Sequence, residues 1–486
     1  MLPKPKYRIL WTWDMPSNWD SSVNGKPLGC SGKNFRRAAF LGDYKRMVDY
    51  ASAHHFNGIV IWGAVRAHND GVAQLKELVK YGRERGVRIL PGVSAFSYGG
   101  VFYDPTTVCS MGHDRAFGEH PYSLHTWLTK HPEYAAVDPD GKPYPFGPLN
   151  ILACPSRREN IQWFREALAW LYDEFDIDGI QVEVGDYSVC HCDLCRARRK
   201  AESTDKAYSV DDMAETYNAA MEVSLAKKPD AWVLCETYSC LSYPFREESG
   251  RIWPHMPDED RRQLAVLPPQ AILQWSNDRA LGEYATQRIR PDGYLPLPNN
   301  ILRIHSGSQW SQNGPADWAA NLVWDLVRQA RTNGINGVSL FGEESFFAPP
   351  NEANYLALEE ASGFGAPNEA LDEQLFYSRT LDPLYGGSGM TARWRSLYLK
   401  GRMLLIRDRL QKPFVLSAQP YEKLTDDPDF RRKALTFTDA ECVQALDRFC
   451  DEAHALGATL SGETCRRWAW LENQLWQIRY NIATRP

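Results

Sequence analysis

The stretch DGIQVEVGDYSVCHCDLC, residues 178–195, joins a strand-like alternation that contains Glu183 to three closely spaced cysteines. A carboxylate at a strand end can transfer a proton or attack a carbon atom. Thiolates are ligands for zinc. The stretch therefore carries two candidate chemistries, a catalytic carboxylate and a metal-binding loop. The alternative is an ordinary buried strand followed by thiols that only pack.

Other strand-like runs also end in polar or acidic residues. Side chains alternate between the two faces of a strand, so the apolar set on one face identifies the side chains on the other. Gln181 and Glu183 oppose the apolar set of residues 179–184, and Glu343 opposes that of residues 337–344. A second group of candidates either faces the same way along its strand or lies on or at the end of a predicted strand. These residues are Asp14, Glu236, Gln274, Arg303 and His305.

Converging carboxylates of this kind suit the hydrolysis of glycosidic bonds. One carboxyl group protonates the leaving oxygen, while the other attacks the anomeric carbon or activates water. We predict Glu183 as the general acid and Glu343 as its partner, with Glu344 as the rival because strand ends twist. The alternative is a polar core of salt bridges, such as one between Glu183 and Arg303.

Sugar binding is expected from aromatic and polar side chains around these carboxylates. The chain has 17 tryptophans, and indole rings can stack on sugar faces. Trp13 and Trp275 are candidate platforms that could equally face the helices, and Arg66 and Arg303 would suit an anionic sugar such as a uronate. The predicted substrate-binding residues are Asp14, Trp62, Asp186, Glu236, Gln274, Arg303, His305 and Trp310.

The three cysteines after residue 189 have C-x-C-x-x-C spacing, and a tetrahedral zinc site needs a fourth ligand. Cys154 and Cys240 both fall in loops expected on the same face of the molecule. We predict a structural zinc site on Cys190, Cys192, Cys195 and Cys154, with free thiols as the alternative. No cofactor is expected to be required for catalysis.

Eight short β-rich runs alternate with amphipathic helical patterns, which predicts an α/β fold of the (β/α)8 TIM-barrel type. Four of the runs follow a helix and a glycine, and we expect that glycine to take the left-handed conformation that ends the helix. The predicted strands occupy residues 8–14, 58–63, 87–96, 179–184, 231–238, 271–276, 301–307 and 337–344.

Long insertions follow the third and fifth strands, at residues 97–155 and 240–270. Both fall in loops on the face where barrel enzymes place their sites. From about residue 365 the pattern becomes purely helical. The predicted organisation is a catalytic barrel over residues 1–364 and an all-α C-terminal domain over residues 365–486.

Composition excludes several classes of function. The net charge of -6 is mild for 486 residues, so a nucleic-acid partner is not expected. No apolar run is long enough to span a membrane, and no signal segment opens the chain, which predicts a cytoplasmic protein. A secreted chain whose leader has been removed is the alternative. G-x-S-x-G and phosphate-loop motifs are absent, and Trp11-Thr12-Trp13 stands where a metal-dependent amidohydrolase needs His-x-His.

The block RRENIQWFREALAWLYDEFDIDGIQVEVGDY with the following CHCDLC resembles the glycoside hydrolase barrels grouped with the hexosaminidases and α-glucuronidases. This resemblance covers most of the barrel, but only the block around the fourth strand is specific. It implies that Glu183 takes the acidic position at the end of that strand, with Asp186 just beyond. Hexosaminidases carry an adjacent Asp-Glu pair there, and its absence argues against the substrate-assisted N-acetyl mechanism.

The sequence therefore favours a glycosidase that acts on an oligosaccharide or polysaccharide. Two alternatives stay open: a non-catalytic carbohydrate-binding barrel and a polysaccharide lyase acting on uronates. The sugar, its linkage, the stereochemical outcome and the oligomeric state are not determined by these patterns.

Overall fold

Eight parallel strands form a closed barrel in the order β1 to β8, with β8 also paired to β1. This arrangement confirms the predicted (β/α)8 barrel. The computed structural model describes residues 2–13, 40–65, 71–97, 99–102, 120–144, 152–183, 189–199, 210–237, 262–278, 295–305, 318–341, 348–365, 371–410 and 427–485. The strands are β1 Tyr7–Trp13, β2 Gly58–Trp62, β3 Arg88–Ser94, β4 Gly179–Glu183, β5 Trp232–Glu236, β6 Ile272–Asp278, β7 Asn299–His305 and β8 Gly337–Phe341.

Helices separate most of these strands in the part of the chain that the structure describes. Those before the end of the barrel are α1 Phe40–Ala53, α2 Gly71–Glu84, α3 Leu124–Lys130, α4 Arg158–Phe175, α5 Asp193–Arg198, α6 Val210–Lys227, α7 Ala320–Thr332 and α8 Pro349–Ala361. The later ones are α9 Glu373–Phe376, α10 Asp382–Tyr385, α11 Met390–Leu410, α12 Pro428–Ala434, α13 Asp439–Gly457 and α14 Gly462–Ala483.

The strands separate two apolar layers, as their alternation predicts. Ile180, Val182, Leu302, Ile304, Val338 and Leu340 all belong to the large core between the strands and the helices. The opposite faces of the strands fill the barrel interior with a second cluster, made of Tyr7, Ile9, Trp11, Val60, Trp62, Leu90, Leu234, Ile272 and Ile301. The barrel is therefore a packed core, and its polar groups occupy one end of that core.

The glycines before the strands serve two purposes, and the prediction of a left-handed residue was correct for only some of them. Gly86 is left-handed, with φ 71°. The left-handed residues after α1 and α4 are instead His55 and Asp176. Gly58 and Gly337 begin strands, where a Cβ atom would come within 3.3 Å and 2.5 Å of side chains inside the barrel. These two glycines are needed for close packing rather than for a positive φ.

The chain beyond β8 is helical wherever it is described, which confirms an all-α C-terminal region. The guanidinium of Arg467, on α14, binds Glu352 of α8 with an Nε–Oε2 distance of 2.7 Å. The Trp394 indole donates to the Arg467 carbonyl oxygen at 3.0 Å. The boundary at residue 364 stays a prediction, because apolar packing continues across it. Among the described helices, none is both long and apolar enough to cross a membrane.

Candidate active site

Four polar side chains from four strands meet inside the C-terminal end of the barrel. Glu183 and Glu236 are the last residues of β4 and β5, and Gln274 pairs in register with Glu236. Arg303 lies on β7. All four are buried, with Glu183 only 4% and Glu236 only 1% exposed. The sequence predicted Glu183 and Arg303 from strand alternation and Glu236 and Gln274 from their strands, and the geometry brings these four residues together.

The Arg303 guanidinium lies between the two carboxylates. Its Nη1 atom is 3.2 Å from Glu236 Oε2 and 4.0 Å from Glu183 Oε2. The same group lies 5.3 Å from the centroid of the Trp11 ring. Of the two carboxylates, Glu236 is therefore the closer partner of the Arg303 guanidinium.

Glu236 is further fixed by two side-chain amides. Gln274 donates to its Oε2 atom at 2.5 Å and Gln181 donates to the same atom at 3.3 Å. The Oε1 atom of Gln181 accepts hydrogen bonds from the indole N–H groups of Trp11, at 3.0 Å, and Trp62. An indole nitrogen can only donate, so Gln181 must present its oxygen to the rings and its NH2 group to Glu236. Both amides therefore donate to Oε2 of Glu236, which accepts from each of them.

Three supporting residues of this network were missing from the predicted site. The strand alternation places Gln181 inside the barrel but indicates no role for it. Trp11 enters the sequence analysis only as evidence against a His-x-His metal site. The Tyr217 hydroxyl of α6 donates to the Glu236 backbone carbonyl. The signal for Trp11 was available, since it shares the phase of Tyr7 and Ile9 on β1. The contact from Tyr217 depends on helix packing, which has no signature in the sequence.

The remaining predicted site residues have mixed placements. Trp62 is 1% exposed and its ring lies 6.3 Å from that of Trp11, so it packs inside the barrel. Trp275 points to the helix side, where its indole donates to Asn300 at 2.9 Å. His305 ends β7, but its side chain and that of Trp13 lie outside what is described. The predictions that fall outside the described residues are Asp14, Arg66, Asp186, Cys240, Trp310, Glu343 and Glu344.

The four predicted thiol ligands come together beside the barrel. The Sγ atoms of Cys154, Cys190, Cys192 and Cys195 all lie within 4.8 Å of one another. Cys190 and Cys192 precede α5, Cys195 lies on it, and Cys154 lies just before α4. A hydrogen bond with Cys154 holds the pKa of the Cys195 thiol far below its ordinary value, and hydrogen bonding with Cys190 raises the pKa of Cys154.

No profile of a known protein family matches the sequence, and no curated protein is detectably similar to it. Among solved structures, a GH138 enzyme targeting pectin rhamnogalacturonan II shares 10% identity over 99% of this chain and 71% of its own, with a TM-score of 0.50. A β-N-acetylhexosaminidase from Bacteroides fragilis NCTC 9343 shares 14% identity over 80% of this chain and 73% of its own, with a TM-score of 0.43. The expected likeness to glycoside hydrolase barrels is therefore confirmed for the fold, without identifying a family.

Proposed function

We propose that this protein is a glycoside hydrolase in which Glu183 is the general acid. The observation that carries the proposal is the buried group of Glu183, Glu236 and Arg303 at the C-terminal ends of β4, β5 and β7. Barrel enzymes of this fold place their chemistry at that end of the strands. Carboxylates gathered there fit the two-carboxylate mechanism of glycoside hydrolysis.

The contacts divide the work between the two described carboxylates. Glu236 accepts from Gln181 and Gln274 and pairs closely with Arg303, so its role is to hold the cation in place. Glu183 lies 4.0 Å from the same guanidinium. A general acid must carry a proton to the leaving oxygen, and Glu183 ends β4 at the C-terminal end of the barrel, where this fold does its chemistry.

The second carboxylate of the reaction is proposed to be Glu343, with Glu344 as its rival. In this assignment Glu183 protonates the leaving oxygen, and Glu343 attacks the anomeric carbon or activates water. The phase of β8 supports Glu343, because Ser339 pairs in register with Ile9 and Arg303, which both face the barrel interior. The strand ends at Phe341, so the assignment of Glu343 extends its alternation by two residues.

The substrate is proposed to be an oligosaccharide or polysaccharide. Arg303 is already engaged by Glu236, so an anionic sugar would have to be recognised by another cation, for which Arg66 is the candidate near β2. The sequence alone suggested Arg303 and Arg66 equally as partners of an anionic sugar, whereas the contacts of Arg303 favour Arg66. Neutral sugars are the better first choice for a substrate screen.

The test is a screen of purified protein against chromogenic aryl glycosides and uronides, with Glu183→Gln beside the wild type. Turnover of one sugar should fall by about 100- to 10,000-fold in the variant, because general acid catalysis contributes roughly that factor. Sugar binding, measured by calorimetry, should persist.

The matched control is Glu359→Gln, which makes the same chemical change in a buried glutamate that contacts His54 and His55. It should keep its turnover. Full activity in Glu183→Gln would contradict the assignment of the acid. Sugar binding without turnover by the wild type would favour a carbohydrate-binding barrel, and an ultraviolet-absorbing unsaturated product would favour a lyase.

A further inference from the structure

The cysteine cluster has the dimensions of a metal site. Cys154 Sγ lies 3.6 Å from Cys192 Sγ and 3.5 Å from Cys195 Sγ. A zinc ion with four thiolates at about 2.3 Å places neighbouring sulfur atoms about 3.8 Å apart in a tetrahedron. The four cysteines are free of disulfide bonds, and three of them are buried. Their separation therefore matches ligands that surround one ion.

The surroundings of the cluster complement a negatively charged centre. Four thiolates around a divalent ion carry a formal double negative charge. Arg199, whose side chain is 1% exposed, donates to the carbonyl oxygen of Cys190. Arg198 donates to Ser156 Oγ at 3.0 Å, and that oxygen lies 3.0 Å from Cys195 Sγ.

One carboxylate serves both of these arginines. Asp212, buried on α6, binds Arg198 and Arg199 together. Glu215 also acts on Arg198, whereas the buried Arg199 guanidinium lies close enough to interact with the Cys195 thiol. A buried cation beside the thiols favours an anionic centre at the cluster. Contacts that orient and balance metal ligands in this way are usual around protein metal sites.

The cluster also joins two loops of the barrel. The backbone N–H of Val137, in the insertion after β3, donates to Cys190 Sγ at 3.4 Å. His191 N donates back to the Val137 carbonyl at 2.8 Å, and the Tyr144 hydroxyl donates to the Val189 carbonyl at 2.8 Å. Cys154 belongs to the same insertion, whereas the other three thiols follow β4, which ends at Glu183.

We propose that Cys154, Cys190, Cys192 and Cys195 bind one zinc ion, which fastens the insertion after β3 to the segment after β4. All four ligands come from the protein, so the site is closed and structural rather than catalytic. Binding displaces the remaining thiol protons to solvent. The ion thereby restrains the loop that follows the proposed catalytic acid, but the zinc site itself does not depend on the proposed function.

The test begins with the metal content of the full-length protein, expressed with zinc in the medium and purified under reducing conditions. We expect one zinc per chain by inductively coupled plasma mass spectrometry. Cys192→Ser, which removes the least buried ligand, should lose most of this zinc. The matched control, Cys465→Ser, changes a partly exposed cysteine outside the cluster and should retain it.

A second measurement keeps the proposal testable if the Cys192 variant folds poorly. The reduced wild-type chain, stripped of metal by a chelator, is titrated with cobalt(II). A tetrahedral tetrathiolate centre should give thiolate charge-transfer and visible ligand-field bands that saturate at one ion per chain. Zinc should then abolish these bands.

Three results would overturn the proposal. These are a metal-free protein with no cobalt bands, zinc that persists in Cys192→Ser, and bound iron with its own visible absorption. None of these readouts uses glycosidase activity, so the zinc proposal and the proposed function can fail separately.

Discussion

Two clusters on the same side of the barrel hold their reactive groups in different ways. The carboxylate and arginine network takes its side chains from strands that are far apart in sequence, and the paired backbones position them. The cysteine cluster takes three of its four side chains from residues 190–195 of one loop. The first cluster is closed by hydrogen bonds and ion pairs between protein groups. The second gathers four thiols, which as thiolates are soft ligands of the kind that bind zinc.

This difference separates what the fold supports alone from what requires an ion. In the barrel network each charge already has an opposite charge or a donor within reach, so its geometry belongs to the folded chain. At the cysteines, an ion would supply the charge that brings four thiolates together. Chelators should therefore affect the loops after β3 and β4 and leave the barrel network intact.

The largest effect should come from removing the cation of the barrel network. Arg303→Met leaves Glu183 and Glu236 buried without their shared partner, and breaking a buried pair from one side costs about 3–5 kcal/mol. The free energy of unfolding in urea measures the loss. The control is Arg83→Met, which removes an exposed cation bound to Asp176 and Asp178 and should cost less than about 1 kcal/mol.

Equal stability of the Arg303 variant and the wild type would break the comparison. It would mean that Arg303 does not stabilise the two buried carboxylates, and that ion pairing with Arg303 does not hold the barrel network together. The free energy of unfolding of Arg303→Lys should lie between those of Arg303→Met and the wild type. One ammonium group cannot match the planar guanidinium that lies between two carboxylates.

A smaller effect should follow from crowding the indole that supports Gln181. Gly92 of β3 pairs in register with Gln181, and a Cβ atom there would lie 2.4 Å from the Trp62 ring. Gly92→Ala should therefore cost about 1–3 kcal/mol in unfolding free energy, the usual range for an overpacked core. The turnover proposed above should fall with it, because the amide that fixes Glu236 loses one of its two indole donors.

The matched control is Gly42→Ala in α1, where a new Cβ atom meets nothing within 4 Å. Its stability should stay level or rise by up to about 1 kcal/mol, because alanine favours a helix over glycine. If Gly92→Ala were as stable and active as this control, the position of Trp62 would not matter to the network.

The same contrast explains how much of the site could be predicted. Alternation along the strands was sufficient to place Glu183 and Arg303 inside the barrel, and to orient β4, β7 and β8 correctly. It could not show that Arg303 lies nearer Glu236 than Glu183, because side-chain conformations and the stagger of neighbouring strands decide that distance.

The cysteines were predictable for a different reason. Three of them are close in sequence, so their spacing alone indicates a shared site. For the fourth ligand the sequence offered both Cys154 and Cys240, in loops expected on the same face, and the structure brings the Cys154 sulfur within reach of the others. The arginines that flank the cluster were not predicted, because their contacts depend on how α5 and α6 pack.

The insertion after β3 also contains a polar ring that is held without any charge. The His120 imidazole stacks on Phe102 with a centroid distance of 3.9 Å, and its Nδ1 atom accepts from the Tyr122 backbone N–H at 3.2 Å. Burial lowers the pKa of His120 to about 4. The pKa of a histidine in an unfolded chain is about 6.5. Between pH 6.5 and pH 4 the unfolded chain therefore binds more protons than the folded protein does.

Stability should therefore fall as the pH drops from about 6.5 towards 4, and the contribution of His120 should be fully present above that window. The loss should be modest, about 1 kcal/mol, because the ring is only partly buried and solvent screens its charge. The measurement is the free energy of unfolding at pH 7 and pH 5 for the wild type and His120→Gln. The variant cannot titrate in this range, so its profile should be flatter; parallel profiles would show that the aromatic packing tolerates the charged ring. A flatter profile would identify a third way in which this protein holds a polar group, by stacking and burial rather than by ion pairs or a metal.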